Sequence, residues 1–127
     1  MNRRDSVWRM NAYDLKERTM QFAIRVLQMV DRLPKTVAGR TIANQVARSG
    51  TSVAANYRAA LRNKSRADFI NKVTIVLEEA DETGFWVELT SRAKLLPDGE
   101  LDGLRDEAEQ LSRIFNATRR TAQNHKS

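Results

Sequence analysis

The apolar residues of this chain recur at three- and four-residue intervals, the period of a helix buried along one face, and no segment alternates as a strand would. From Asp14 to Leu33, one stripe carries Leu15, Phe22, Ala23, Val26, Val30 and Leu33, and Leu33-Pro34-Lys35 stops the helix. Asp14 or a near neighbour is expected to cap its start. A second helix is expected over 36–62, followed by the turn Asn63-Lys64-Ser65. Ser65 stands as the N-cap of a third, long helix over 66–96, closed by Pro97-Asp98-Gly99. A fourth, over 100–118, places Leu101, Leu104, Ala108, Leu111 and Phe115 on its core face, and the tail AQNHKS is expected to fray. Four helices with short connections fold most simply as an antiparallel, up-down-up-down four-helix bundle, one all-α domain over residues 1–127.

The third helix is apolar on two sides. One stripe holds Phe69, Val73, Val76, Leu77, Ala80, Gly84 and Val87; turned about 180° from it lie Ile75, Trp86 and Leu89. Each helix of a four-helix monomer keeps a solvent face, so Ile75, Trp86 and Leu89 are candidates for a subunit interface in a homo-oligomer. The alternative is that this helix is simply the most enclosed of the four.

The second helix raises a different question. Its middle, RSGTSVAAN, concentrates Ser49, Gly50, Thr51, Ser52 and Asn56, residues that weaken a helix by competing for its backbone or by losing entropy. Ser49 and Asn56 fall beside the apolar arc of Ile42, Val46, Val53 and Tyr57, and on the third helix Lys72, Glu79, Glu82 and Trp86 share a side. Small residues let a second backbone approach, and Ser49, Ser52 and Asn56 facing Lys72, Glu79 and Glu82 would form a satisfied polar network in the core or at an interface. Such a network fixes register more than it stabilises.

Charge is divided unevenly. The chain holds 22 Lys and Arg against 16 Asp and Glu, a formal net charge of +6. Between Thr36 and Ser65 lie Arg40, Arg48, Arg58, Arg62 and Lys64 and no acid; the four arginines fall within roughly 80° on the helical wheel. Arg18, Arg25 and Arg32 recur every seventh residue on the first helix, while most acidic residues sit on the third and fourth. These seven arginines are candidates for binding the phosphates of RNA or DNA. The competing reading pairs them with carboxylates of the third and fourth helices, within or between subunits, in a protein-interaction scaffold. No aromatic residue accompanies the arginines, which disfavours stacking on single strands.

Composition removes several chemistries. Cysteine is absent, and the one histidine, His125, lies near the C-terminus, so thiolate or Glu-x-x-His metal sites and histidine-based catalysis are not expected. No apolar run reaches membrane-spanning length, and MNRRDSVWRM lacks the apolar core of a signal peptide, so a cytoplasmic protein without membrane partners is expected. An enzyme using Glu79 and Glu82 as a carboxylate pair is the remaining catalytic reading, and it lacks a cleft or tuned base. We therefore expect no enzymatic activity and no cofactor.

RSGTSVAANYRAA (48–60) and SRADFINKVTIVLEEADETGFWVEL (65–89) together resemble the bacterial four-helix bundle proteins also called 23S rRNA-intervening sequence proteins. Ser52 and Asn56 match a serine-rich turn ending in Asn; Phe69, Lys72, Glu79, Glu82 and Trp86 match a Phe-x-x-Lys followed by an acidic helix with an aromatic pair. The likeness covers about residues 14–118, with Ala59 standing where the family usually has glutamate. It implies a homo-oligomer, with ring-shaped pentamers known in the family, and no established enzymatic activity. A related branch serves as the accessory protein of diversity-generating retroelements, which adds a reverse transcriptase to the partners the resemblance suggests.

Overall fold

The structure is a computed structural model that describes residues 11–124; His125 and the N-terminal tail lie outside the described residues. The described chain is all α-helical: α1 spans Ala12–Arg32, α2 Val37–Ala60, α3 Arg66–Arg92 and α4 Asp102–Asn124. Each of the first three starts on a side chain that accepts a backbone N–H of the first turn. Asn11 takes that of Asp14, Thr36 that of Gly39 and Ser65 that of Asp68. Asn11, rather than Asp14, is thus the cap of α1.

Two boundaries differ from the sequence expectation. The third helix stops at Arg92, short of Leu96, because Lys94 turns into the left-handed region at φ 57° and Leu95 N–H bonds back to Thr90 O at 3.1 Å. Leu96 keeps its apolar register but buries its side chain from the turn. The fourth helix runs on past Thr118 to Asn124, so residues 122–124 of the tail expected to fray are helical, and the rest of that tail lies outside the described residues.

The helices pack in chain order, α1 on α2, α2 on α3 and α3 on α4, and α4 returns to α1 more sparingly. Val26, Val46, Val53, Val73, Val76, Val87, Leu111 and Phe115 are wholly inaccessible and form the centre. The expected core stripes of the first and fourth helices and the principal stripe of the third supply most of this core.

Gly50 explains part of the small-residue run. A Cβ there would stand 2.7 Å from Val26 Cγ1 and 2.8 Å from Cγ2, so α1 and α2 approach at a point where only hydrogen fits. Val26 is fully enclosed and β-branched, and it has no room to swing away. Gly50→Ala gains about 1 kcal/mol of helix propensity. Overpacking, typically about 1–3 kcal/mol, should outweigh it. Denaturant melts should show a net loss, and Gly50→Ala with Val26→Ala should be less destabilised than the two single changes added. Strict additivity would show that the two residues do not meet.

Candidate nucleic-acid interface

The seven candidate arginines separate into paired and unpaired groups. On α1, Arg18 forks onto Glu107 of α4, Nε donating to Oε2 and Nη2 to Oε1, both at 2.7 Å, and Nη2 also reaches Gln110 Oε1 at 3.0 Å. The hydrogen bonds that Arg18 donates to Glu107 raise its pKa above the ordinary value, against the opposing effect of partial burial. Arg32 pairs with Glu100 just before α4. Arg25, between them, passes over Gly103 and meets no carboxylate within ion-pair distance among the described residues. Two of the three heptad-spaced arginines therefore bind α1 to the α4 side of the molecule.

On α2, Arg48 bridges two carboxylates of α3: Nη1 lies 3.1 Å from Glu79 Oε2 and Nη2 2.6 Å from Glu82 Oε2. Arg48 holds the Glu82 carboxyl below the usual carboxylate range, outweighing its desolvation, and Trp86 Nε1 adds a longer bond of 3.4 Å to Oε1. A carboxylate stabilised in its charged form is poorly matched to proton transfer near neutrality. Arg40 donates to the carbonyl of Lys35 at 2.7 Å, leaving its charge exposed and unneutralised. Arg58 and Arg62 are exposed, with no ion-pair partner among the described residues.

The proposed polar seam divides in the same way. Ser49 is fully buried, and across the helix interface Thr83 Oγ1 lies 2.9 Å from Ser49 Oγ and 2.7 Å from Glu79 O. Asn56 stays within its own helix, Nδ2 donating to Ser52 O at 3.0 Å and Ser52 Oγ at 2.7 Å. Glu79 and Glu82 turn outward to Arg48, and Lys72 is half-buried without an ion-pair partner among the described residues. The cross-helix bond of the core is therefore Ser49–Thr83, and sequence reasoning missed Thr83. Its signal was local: a threonine back-bonding to the carbonyl four residues earlier tolerates burial in a helix. No buried side-chain nitrogen or oxygen among the described residues lacks a partner.

Ile75 and Trp86 are half-buried, Trp86 packing against the core, while Leu89 is exposed. Beside them Phe85, also overlooked, is 55% exposed and meets Trp86 edge-on at 4.9 Å. A second apolar strip, Met20, Ile24 and Leu27, lies exposed along α1. No group of three or more His, Asp or Glu side chains among the described residues is placed to hold a metal ion. No helix among them is long and apolar enough to cross a membrane.

The sequence pattern of the 23S rRNA-intervening sequence proteins matches residues 11–117, the whole of the bundle but the end of α4. The chain belongs to that family. A crystal structure of a protein of unknown function from the S23 ribosomal protein family of Bacteroides thetaiotaomicron is similar, with a TM-score of 0.78 and 32% identity, covering 84% of this chain and 98% of that one. No curated protein matches. Family membership fits the residues from which the resemblance was read: Ser52 and Asn56 bond each other within α2, and Glu79, Glu82 and Trp86 cluster around Arg48.

Proposed function

We propose that this family member is a non-enzymatic, oligomeric helical bundle that binds structured RNA through its basic surface. The observation that carries the reading is the set of arginines left over. After Arg18, Arg32 and Arg48 have found carboxylates, Arg25, Arg40, Arg58 and Arg62 remain exposed without one among the described residues. Unpaired surface arginines release counterions on meeting phosphates, whereas paired ones must first give up a partner.

The topology we propose is up-down-up-down. Along α1 from Arg18 to Arg32 the partners near α4 run backwards from Glu107 to Glu100, and short connections join successive helices. The subunit contact we propose is heterologous. Met20, Ile24 and Leu27 on α1 and Phe85 and Leu89 on α3 are unlike apolar patches on helices whose backbones do not come close to one another. Unlike patches associate head to tail, and such contacts close into rings; the pentamer implied by family resemblance is the expected closure. Cytoplasmic location belongs to this proposal, as does service to a reverse transcriptase.

Light scattering after size exclusion should give a mass several times the 14.5 kDa of the chain, and a monomer at micromolar concentration would end the ring reading. An RNA hairpin titrated across a salt series should bind with little sequence preference, its affinity falling steeply as salt rises. Absence of any complex at low salt would overturn the RNA reading and leave the arginines to protein contacts.

A further inference from the structure

Two stretches of the chain are free of acid and carry cations. Residues 58–66 hold Arg58, Arg62, Lys64 and Arg66, and residues 110–124 hold Arg113, Arg119 and Arg120. They are far apart in sequence, and the contacts of the bundle bring their ends together. Ser49 of α2 meets Thr83, and Ala108 of α4 approaches the adjacent Gly84 on the same turn of α3, a Cβ there standing 3.6 Å away. Further along both helices, the rings of Tyr57 and Phe115 meet at 5.1 Å. From the first level to the second, α2 advances from residue 49 to 57 and α4 from 108 to 115, so the two helices proceed side by side. Arg58 and Arg62 therefore finish at the same end of the molecule as Arg119 and Arg120, and the turn into α3 adds Lys64 and Arg66 there.

The ordinary explanation for cations at the ends of helices is that they offset the negative C-terminal pole. That accounts for Arg58 in the last turn of α2 and for Arg62 just past it; the last turn of α4 carries no basic residue, and Arg119 and Arg120 lie before it. Lys64 and Arg66 flank the start of α3, where the dipole disfavours positive charge, and capping does not explain them. Asp68, the acid closest in sequence, is engaged by the backbone N–H of Lys64 at 3.2 Å rather than by an ammonium or guanidinium group. Arg62, Lys64, Arg66 and Arg120 are exposed; Arg119 is half-exposed and donates to the neutral Asn116 Oδ1 at 3.2 Å. No ion pair among the described residues neutralises any of these five or Arg58. Tyr57 and Phe115, the rings joining the two helices there, are buried and offer no stacking surface, so the cluster suits phosphates rather than unpaired bases.

We infer that this end of the bundle, formed by Arg58, Arg62, Lys64, Arg66, Arg119 and Arg120, is where the phosphate backbone of double-helical RNA docks. The inference rests on the RNA-binding function proposed above and gives it a place. On an ordered α4, Arg119 and Arg120 belong to the same cluster as Arg58 and Arg62.

The test compares charge removal at two ends. Arg92 lies about 39 Å along α3 from Arg66, at 1.5 Å per residue, and with Lys94 it provides a control of equal charge. Arg119→Gln with Arg120→Gln should weaken binding of a fully paired RNA hairpin about tenfold or more at 0.1 M salt and lower the salt slope by about 2. Arg92→Gln with Lys94→Gln should change affinity less than about threefold. Circular dichroism melts of both variants should match wild type, since every altered side chain is at least partly exposed. If wild-type protein binds no hairpin at low salt, the parent function fails. If wild type binds but the control pair costs as much as Arg119 and Arg120, or those two cost nothing, the docking site proposed here is wrong while the function stands.

Discussion

Replacing Gly39 by alanine should lower the melting temperature by at least about 10 °C, the equivalent of roughly 3 kcal/mol for a domain of this size. Gly39 lies in the first turn of α2, and a Cβ built on it would fall 1.9 Å from the carbonyl oxygen of Pro34 and 2.9 Å from its carbon. Those are backbone atoms, which cannot rotate aside as the end of a side chain can. The loop they belong to is also held in place. Thr36 Oγ1 accepts the Gly39 N–H at 3.1 Å, Thr36 O accepts the Arg40 N–H at 2.9 Å, and Lys35 O accepts from the Arg40 guanidinium. Relieving the clash would require opening the cap or lifting the chain entering α2. Either outweighs the helix propensity of about 1 kcal/mol that alanine brings. A differential scanning trace within about 2 °C of wild type would show that the Pro34 turn moves freely and that Gly39 is there for some other reason.

Phe115→Ala should cost about 3–5 kcal/mol, the usual range for deleting an enclosed aromatic side chain. Phe115 is wholly inaccessible, and its ring packs against Tyr57 at 5.1 Å with the planes tilted by 57°. Tyr57 is buried too, which pushes its phenol above the ordinary range. Removing Phe115 leaves a cavity in the core where α2 and α4 face each other. Urea melts should show the loss, and a double-mutant cycle with Tyr57→Ala should reveal coupling beyond additivity. A loss below about 1 kcal/mol would mean that the two helices are positioned mainly by their common packing on α3.

Sequence and structure agreed most closely where the signal was local. Ser65 marked the start of α3, an end that depends on a few neighbouring residues, and the stripes of the first and fourth helices predicted their buried faces. Agreement was weaker where a residue's role depended on its opposite number. Arg18, Arg25 and Arg32 are equivalent by spacing, yet the first meets Glu107, the last meets Glu100, and the middle one passes over Gly103. Arg48 shares a face with Arg40, Arg58 and Arg62 but alone stands across from Glu79 and Glu82. Asn56 and Ser49 fall on one side of α2, but Asn56 satisfies itself within the helix while Ser49 meets Thr83.

By itself, then, the sequence determined that this chain is four helices, roughly where they begin and end, and which stripe of each is buried. Helix period, capping and chain-breaking residues act over a turn or two and need no knowledge of neighbours. The tertiary structure decided which cations are neutralised, why residue 50 must lack a side chain, and that cations near residues 62 and 119 finish at one end. Those outcomes depend on the level at which one helix lies beside another. That level is set by contacts such as Gly50 on Val26, Ser49 with Thr83, and Tyr57 on Phe115, whose partners lie 24 to 58 residues apart. A spacing pattern carries the angle of a side chain about its own helix, but not its height against the next.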